Sequence, residues 1–133
     1  MTSPAIRPFR SRPCTLVVCR GCCCGSARKH PGTDHDGQLA RLREAAAASG
    51  GRIEVRTTDC LGPCAQANVI VVQPSAEGRR RGARATWIGW ALDDDAVDDL
   101  LEWVRAGGPG LAEPPATLAL QTIPAPLPKA ARR

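Results

Sequence analysis

The 133-residue sequence predicts a small α/β fold in the order strand, helix, strand, strand, strand, helix. Short apolar runs rich in β-branched residues recur between residues 14 and 88, as expected for strands. Two segments, 33–48 and 93–106, keep the 3.6-residue period of an amphipathic helix. A glycine pair follows each of them and is typical of a helix end. We therefore expect four strands in one mixed sheet, covered in part by two helices.

The first half of the chain predicts a βαβ unit. Residues 14–19 (CTLVVC) form a short apolar run, and 52–58 (RIEVRTT) alternate between apolar and polar residues. Between them, Thr33 is the expected N-cap of the first helix, with Asp36 three residues later in a variant capping box. A helix between two strands favours a parallel pair joined by a right-handed crossover.

The second half predicts two further strands, at 68–73 (NVIVVQ) and 85–88 (ATWI), joined by a polar hairpin tip. The acidic segment that begins at Asp93 then starts the second helix. We expect the folded domain to span 14–106. Residues 1–13 predict a disordered arm and 107–133 a disordered Pro-rich tail, because neither shows a hydrophobic period.

Composition and charge exclude several classes of protein. The net charge of +5 is split, with six basic side chains within 1–31 and six acidic ones within 93–102. The basic stretch lacks interleaved tryptophans, so we expect no nucleic-acid binding. No apolar run is long enough to span a membrane or to form a secretory signal, and this predicts a cytoplasmic protein. In a reducing compartment, seven cysteines indicate metal or redox chemistry rather than disulfides.

Four of the cysteines have the spacing C-x4-C-x35-C-x3-C. Each pair follows a strand of the predicted βαβ unit, so both loops should lie at one end of the sheet. Four thiolates from two such loops can hold a [2Fe-2S] cluster, which moves one electron at a time. The candidate ligands are Cys19, Cys24, Cys60 and Cys64.

Several segments together resemble the thioredoxin-like [2Fe-2S] ferredoxins. The matching pieces are VVCRGCCCG, DCLGPC, NVIVVQP, WIGW and DDDAVDDLLEWV, within about residues 15–106. The cysteine spacing is similar to that of the small cluster-bearing subunit of respiratory complex I. The resemblance implies a shortened thioredoxin-like βαβ-ββα fold with Cys19, Cys24, Cys60 and Cys64 as ligands of the cluster.

The run Cys22-Cys23-Cys24 departs from this pattern because it offers three candidates for the second ligand. Cys24 gives the complex I spacing, Cys23 is the expected substitute, and Cys22 stays open. Cys14 opens a strand, and we expect it to be a core or edge residue rather than a ligand. Helix capping and a solvated turn explain Asp34 and its neighbouring histidines better than a metal site does.

The expected function is that of a one-electron carrier between a flavin- or NAD(P)H-linked reductase and an acceptor protein. Such a protein needs no catalytic side chain, so we do not expect an enzyme. Homodimerisation is left open. A structural zinc module is the alternative, since two cysteine pairs also suit zinc. A thiol–disulfide redox protein is a further alternative, with Cys19-Arg-Gly-Cys22 as the nearest approach to its motif.

Overall fold

The computed structural model describes residues 12–20, 32–59, 68–91 and 93–124, and it has an α/β architecture. Five strands form one sheet in the order β2-β1-β3-β4-β5. The elements are β1 (Cys14–Cys19), α1 (His35–Ala48), β2 (Ile53–Thr58), β3 (Ile70–Gln73), α2 (Ala76–Arg80), β4 (Thr86–Ile88), α3 (Asp94–Arg105), α4 (Ala116–Ala119) and β5 (Thr122–Ile123).

The sheet is mixed. Strands β1 and β2 are parallel over their full length, with Cys19 opposite Thr58, which confirms the predicted parallel pair. Strand β3 is antiparallel to β1, and β4 and β5 continue in the antiparallel sense. As a result, β1, β2 and β4 end at the same end of the sheet, where β3 and β5 begin.

Both long helices begin at a capping aspartate. The N-cap of α1 is Asp34 rather than the predicted Thr33, and its Oδ1 accepts a hydrogen bond from the Gly37 amide at 3.0 Å. Asp93 caps α3 in the same way, accepting from the Ala96 amide at 2.9 Å. Each cap satisfies a backbone amide that a helix leaves without a partner.

The main core lies between the sheet and the helices α1 and α3. Alternate residues of β1 enter it, because successive side chains of a strand point to opposite faces. Cys19 belongs instead to a smaller cluster with Val69 and Ile123, against which Trp87 packs. Side chains fully buried in the main core include Leu16, Val18, Leu42, Ile70, Val72, Ile88, Leu100 and Leu118.

The prediction of four strands and two helices is wrong, because the described residues form five strands and four helices. The additional strand β5 and helix α4 come from the tail that was predicted to be disordered. Leu118 in α4 is completely buried, and β5 pairs with β4. The predicted disorder is therefore wrong for 107–124, while 125–133 and 1–11 lie outside the described residues.

The predicted hairpin tip between β3 and β4 holds the short helix α2, which was also missed. Ser75 caps it by accepting a hydrogen bond from the Gly78 amide at 3.2 Å. In the part of the chain that the structure describes, no helix is both long and apolar enough to cross a membrane.

Candidate metal centre

The cysteine-bearing segments are anchored at one end of the sheet, which we call the Cys19 end. Segment 21–31 follows Arg20 at the end of β1, and segment 60–67 follows Asp59 at the end of β2. The Arg20 amide donates to the Thr58 carbonyl at 2.9 Å, so these two points of departure are adjacent. The parallel register of the βαβ unit thus brings the beginnings of both segments together.

Cys19 is the last residue of β1 at this end. Its side chain is only 3% exposed, and its amide donates to the Val69 carbonyl at 3.0 Å. The Cys19 thiol donates to the Asp59 carbonyl, with an Sγ–O distance of 3.7 Å. Asp59 is the residue immediately before Cys60 in the chain. The predicted ligand Cys19 therefore contacts the backbone of the residue next to Cys60, another predicted ligand.

The points at which the two segments return to the described structure also meet here. His35, which opens α1, and Asn68, which precedes β3, are both buried. Asn68 Nδ2 and His35 Nδ1 are 3.0 Å apart, within hydrogen-bonding distance. The segments that carry the remaining predicted ligands are thus fixed at both of their ends within one small region of the fold.

A hydrogen-bond network surrounding Arg20 ties this region to the core. The Arg20 guanidinium donates to its neighbour's carbonyl, that of Cys19, at 2.9 Å. It also donates to Gln38 Oε1 at 2.8 Å and to the His35 carbonyl at 3.3 Å. Gln38 is buried and in turn donates from Nε2 to the Ala91 carbonyl at 2.7 Å. The network links β1, α1 and the connection between β4 and α3.

The sequence analysis missed this network, although one signal for it was present. Gln38 falls on the apolar stripe of α1, four residues before Leu42 and seven before Ala45. A polar residue on such a stripe indicates a buried hydrogen bond. His35 is likewise buried against Asn68 rather than part of a solvated turn, whereas the capping role expected of Asp34 is confirmed.

Of the four predicted ligands, Cys19 alone is among the described residues. Cys24, Cys60 and Cys64 lie outside them, as do the alternatives Cys22 and Cys23. Within the described residues, no group of three or more His, Cys, Asp or Glu side chains could hold a metal ion. The five cysteines that lie outside the described residues all belong to 21–31 and 60–67.

Cys14 lies at the opposite end of β1 and in a different environment. It is 2% exposed and belongs to the main core. Burial raises the pKa of its thiol to about 11. A metal ligand must be a thiolate, so burial in an apolar site makes Cys14 a poor ligand. Cys14 is a core residue, which is one of the two roles, core or edge, expected from the sequence.

Fold and site together define a small α/β protein whose mixed sheet has, at one end, Cys19 and the points where both cysteine-bearing segments begin. Comparison of the chain with protein-family models finds no match. Comparisons with curated proteins and with solved structures also find none. Its function is therefore inferred from the cysteine pattern and the geometry of the Cys19 end.

Proposed function

We propose that this protein binds a [2Fe-2S] cluster and acts as a one-electron carrier of the thioredoxin-like ferredoxin kind. The observation that carries the proposal is the register of β1 and β2, which sets Cys19 beside the residue that precedes Cys60. The proposed ligands are Cys19, Cys24, Cys60 and Cys64. When bound, the cluster would accept and release single electrons.

The predicted ligands are of the chemical type that binds such a cluster. Thiolates are the usual ligands of iron–sulfur clusters, and two pairs from two loops supply the four that are needed. Cys14 cannot replace Cys19, because the six-residue strand β1 separates them by about 17 Å. Cys19 is the one described cysteine at the end of the sheet where both cysteine-bearing segments begin.

The Arg20 guanidinium beside Cys19 would favour the reduced form of the cluster. With both irons ferric, a [2Fe-2S] core bound by four thiolates carries two negative charges, and reduction adds a third. A nearby positive charge stabilises the more negative state. Arg20 supplies one, and its guanidinium is held against the Cys19 carbonyl by the network described above.

The protein's role would be to set the potential of the cluster and to offer a surface for its redox partners. We propose a reductase and an acceptor protein as those partners, in a reducing cytoplasm where free thiols persist. No catalytic side chain is required for this role.

Metal and sulfide analysis of anaerobically purified protein tests the proposal. We expect two irons and two acid-labile sulfides per chain, a visible absorption band, and a paramagnetic signal after one-electron reduction. Stoichiometric zinc without sulfide, even after anaerobic reconstitution with iron and sulfide, would contradict the proposal and favour a structural zinc module instead.

Serine substitutions identify the second ligand. We expect Cys24→Ser to give an altered or less stable cluster, because Cys23 is close enough in sequence to substitute for it. The double change of Cys23 and Cys24 should be far more damaging. A wild-type spectrum in Cys24→Ser together with loss of the cluster in Cys22→Ser would move the assignment to Cys22.

A further inference from the structure

Trp90, in the connection between β4 and α3, has an unusual backbone conformation. Its φ is +60°, and it is the one non-glycine residue with positive φ in the part of the chain that the structure describes. Left-handed backbone is unfavourable for a bulky side chain, and glycine adopts it far more readily. The Trp90 side chain is nevertheless 47% exposed, so burial of the ring does not fully account for its presence.

Hydrogen bonds on both sides hold Trp90 in this conformation. On one side, Gln121 Nε2 donates to the Trp90 carbonyl at 3.0 Å and to the Gly89 carbonyl at 3.2 Å. On the other, the Ala91 amide donates to the Asn68 carbonyl at 3.0 Å. The backbone is thus tied to Gln121, the residue before β5, and to Asn68 in the network beside Cys19. The surrounding structure fixes the place at which the indole is presented.

That place is the Cys19 end of the sheet. In the register of the sheet, Val18 lies opposite Ile70, and Ile70 lies opposite Ile88. Strand β4 is therefore two strand spacings, about 10 Å, from β1. Leu120, which is 86% exposed, precedes β5 at the same end. A standard interface buries about 800 Å² on each partner, so one partner could contact Trp90 and Leu120 at the end of the sheet that holds Cys19.

The described surface at the Cys19 end also carries several exposed carboxylates. Helices α1 and α3 both begin at this end, and carboxylates gather at their first residues. Arg41 pairs with two carboxylates of α3, Asp94 and Asp98, and offsets part of their charge. The exposed acidic residues at this end are Asp34, Asp36, Asp59, Asp93, Asp94 and Asp95.

We propose that Trp90 and Leu120 form the apolar centre of a docking surface for a redox protein with basic side chains surrounding its own electron-transfer site. The inference rests on the proposed function, since it assigns the partner surface of the same cluster. Tryptophan is enriched among the residues that dominate interface energetics. Carboxylates at the same end of the sheet would attract a basic partner and orient it on approach.

Capping accounts for part of the acidic cluster but not for the tryptophan. Asp34 and Asp93 serve as N-caps, so their presence needs no partner. At φ +60°, however, glycine would allow the same hydrogen bonds without the conformational penalty. The chain instead has a tryptophan at this position, half exposed and at the Cys19 end of the sheet.

Because glycine adopts this backbone conformation more readily than tryptophan does, Trp90→Gly is the test variant. Trp90→Gly removes the indole while relieving the backbone, so it should fold with an unchanged or higher melting temperature. The matched control is Leu111→Ala, because Leu111 is also exposed, at 36%, but lies in the turn after α3, near Cys14. The probe is a cationic c-type cytochrome, whose exposed haem edge is ringed by lysines.

Electron transfer is followed anaerobically by stopped-flow after reduction of the cluster with dithionite and removal of the excess. One electron passes from the reduced cluster to the ferric haem, leaving both cluster irons ferric and the haem ferrous. The dependence of the rate on cytochrome concentration gives an apparent Kd. Titration calorimetry with the ferric cytochrome measures binding independently of the cluster.

We expect the apparent Kd to rise about tenfold or more in Trp90→Gly, with little change in Leu111→Ala. Higher ionic strength should weaken binding of the wild type. An intact cluster spectrum with equal Kd in wild type and Trp90→Gly would overturn the docking surface and leave the proposed function standing. A colourless protein would overturn the proposed function, and the calorimetric comparison of the same variants would then support or reject the surface alone.

Discussion

The two ends of strand β1 carry the same residue type in opposite environments. Cys14 lies in the main core, whereas Cys19 lies in a separate small cluster with Val69 and Ile123. The thiol of Cys14 is kept protonated by burial, which raises its pKa to about 11. Cys19 is also buried, but its thiol donates a hydrogen bond to the Asp59 carbonyl. Although both residues belong to β1, Cys14 is thus a structural cysteine and Cys19 a candidate ligand.

The Cys14 end is built for packing. A Cβ on Gly108 would lie 2.9 Å from the Cys14 sulfur, so the turn after α3 approaches the thiol closely. A groove of about 570 Å³ lies beside Cys14, and its lining includes apolar residues such as Ile53 and Val104. At the Cys19 end, by contrast, hydrogen bonds between polar side chains and backbone groups hold neighbouring elements together. The Cys14 end is thus dominated by apolar packing and the Cys19 end by polar hydrogen bonds.

The largest expected effect on stability concerns α4, which leads into the Cys19 end. Leu118→Ala should lower the free energy of unfolding by about 2–5 kcal/mol, because Leu118 is fully buried in the main core. Urea unfolding measures the change. The matched control is Leu120→Ala, two residues away and 86% exposed, which should change stability by less than about 0.5 kcal/mol. Equal effects would show that this segment does not pack on the domain.

The Cys14 end should make stability sensitive to alkaline pH. The folded-state pKa of Cys14 is raised from 9.0 to about 11, so its full contribution is present below pH 9. As pH rises from 9 to 11 the unfolded state ionises first, and about 2–3 kcal/mol of stability should be lost. Urea unfolding across this range checks it. Cys14→Ala should remove that part of the decline; an identical pH profile would show that the thiol does not titrate as proposed.

A smaller effect should come from the polar network at the Cys19 end. Asn68→Ala removes the contact with His35 and should cost about 1–2 kcal/mol. Because Asn68 follows the segment that carries Cys60 and Cys64, we also expect faster loss of the cluster on dilution. Gln73→Ala, at the other end of β3, is the control. A network that matters only for packing would lower stability without changing the rate of cluster loss.

The sequence predicted the elements that repeat a pattern. The alternation in β2 and the period of α3 extend over 6 and 12 residues, enough to define a strand and a helix. The parallel β1–β2 pair followed from the helix between them. For the candidate site, the spacing of the cysteines predicted Cys19 as a ligand, which stays a prediction; the register shows only that Cys19 lies at the end of the sheet where β2 also ends.

What the sequence did not predict depends on short elements and tertiary contacts. Helix α4 has 4 residues and β5 has 2, too few to show any period. Their prolines favoured disorder, yet burial of Leu118 outweighs that local preference. The strained Trp90 could not be recognised either, because hydrogen bonds from Gln121 and to Asn68, both distant in sequence, determine its backbone conformation.

The most direct test of the contrast between the two ends compares Cys19→Ser with Cys14→Ser. Both proteins are purified anaerobically and reconstituted with iron and sulfide, and their visible absorption and EPR spectra are recorded against wild type. We expect Cys14→Ser to keep the wild-type spectrum and Cys19→Ser to lose it or change it strongly. Loss of the cluster in Cys14→Ser with a wild-type spectrum in Cys19→Ser would contradict the assignment of the metal centre to the Cys19 end.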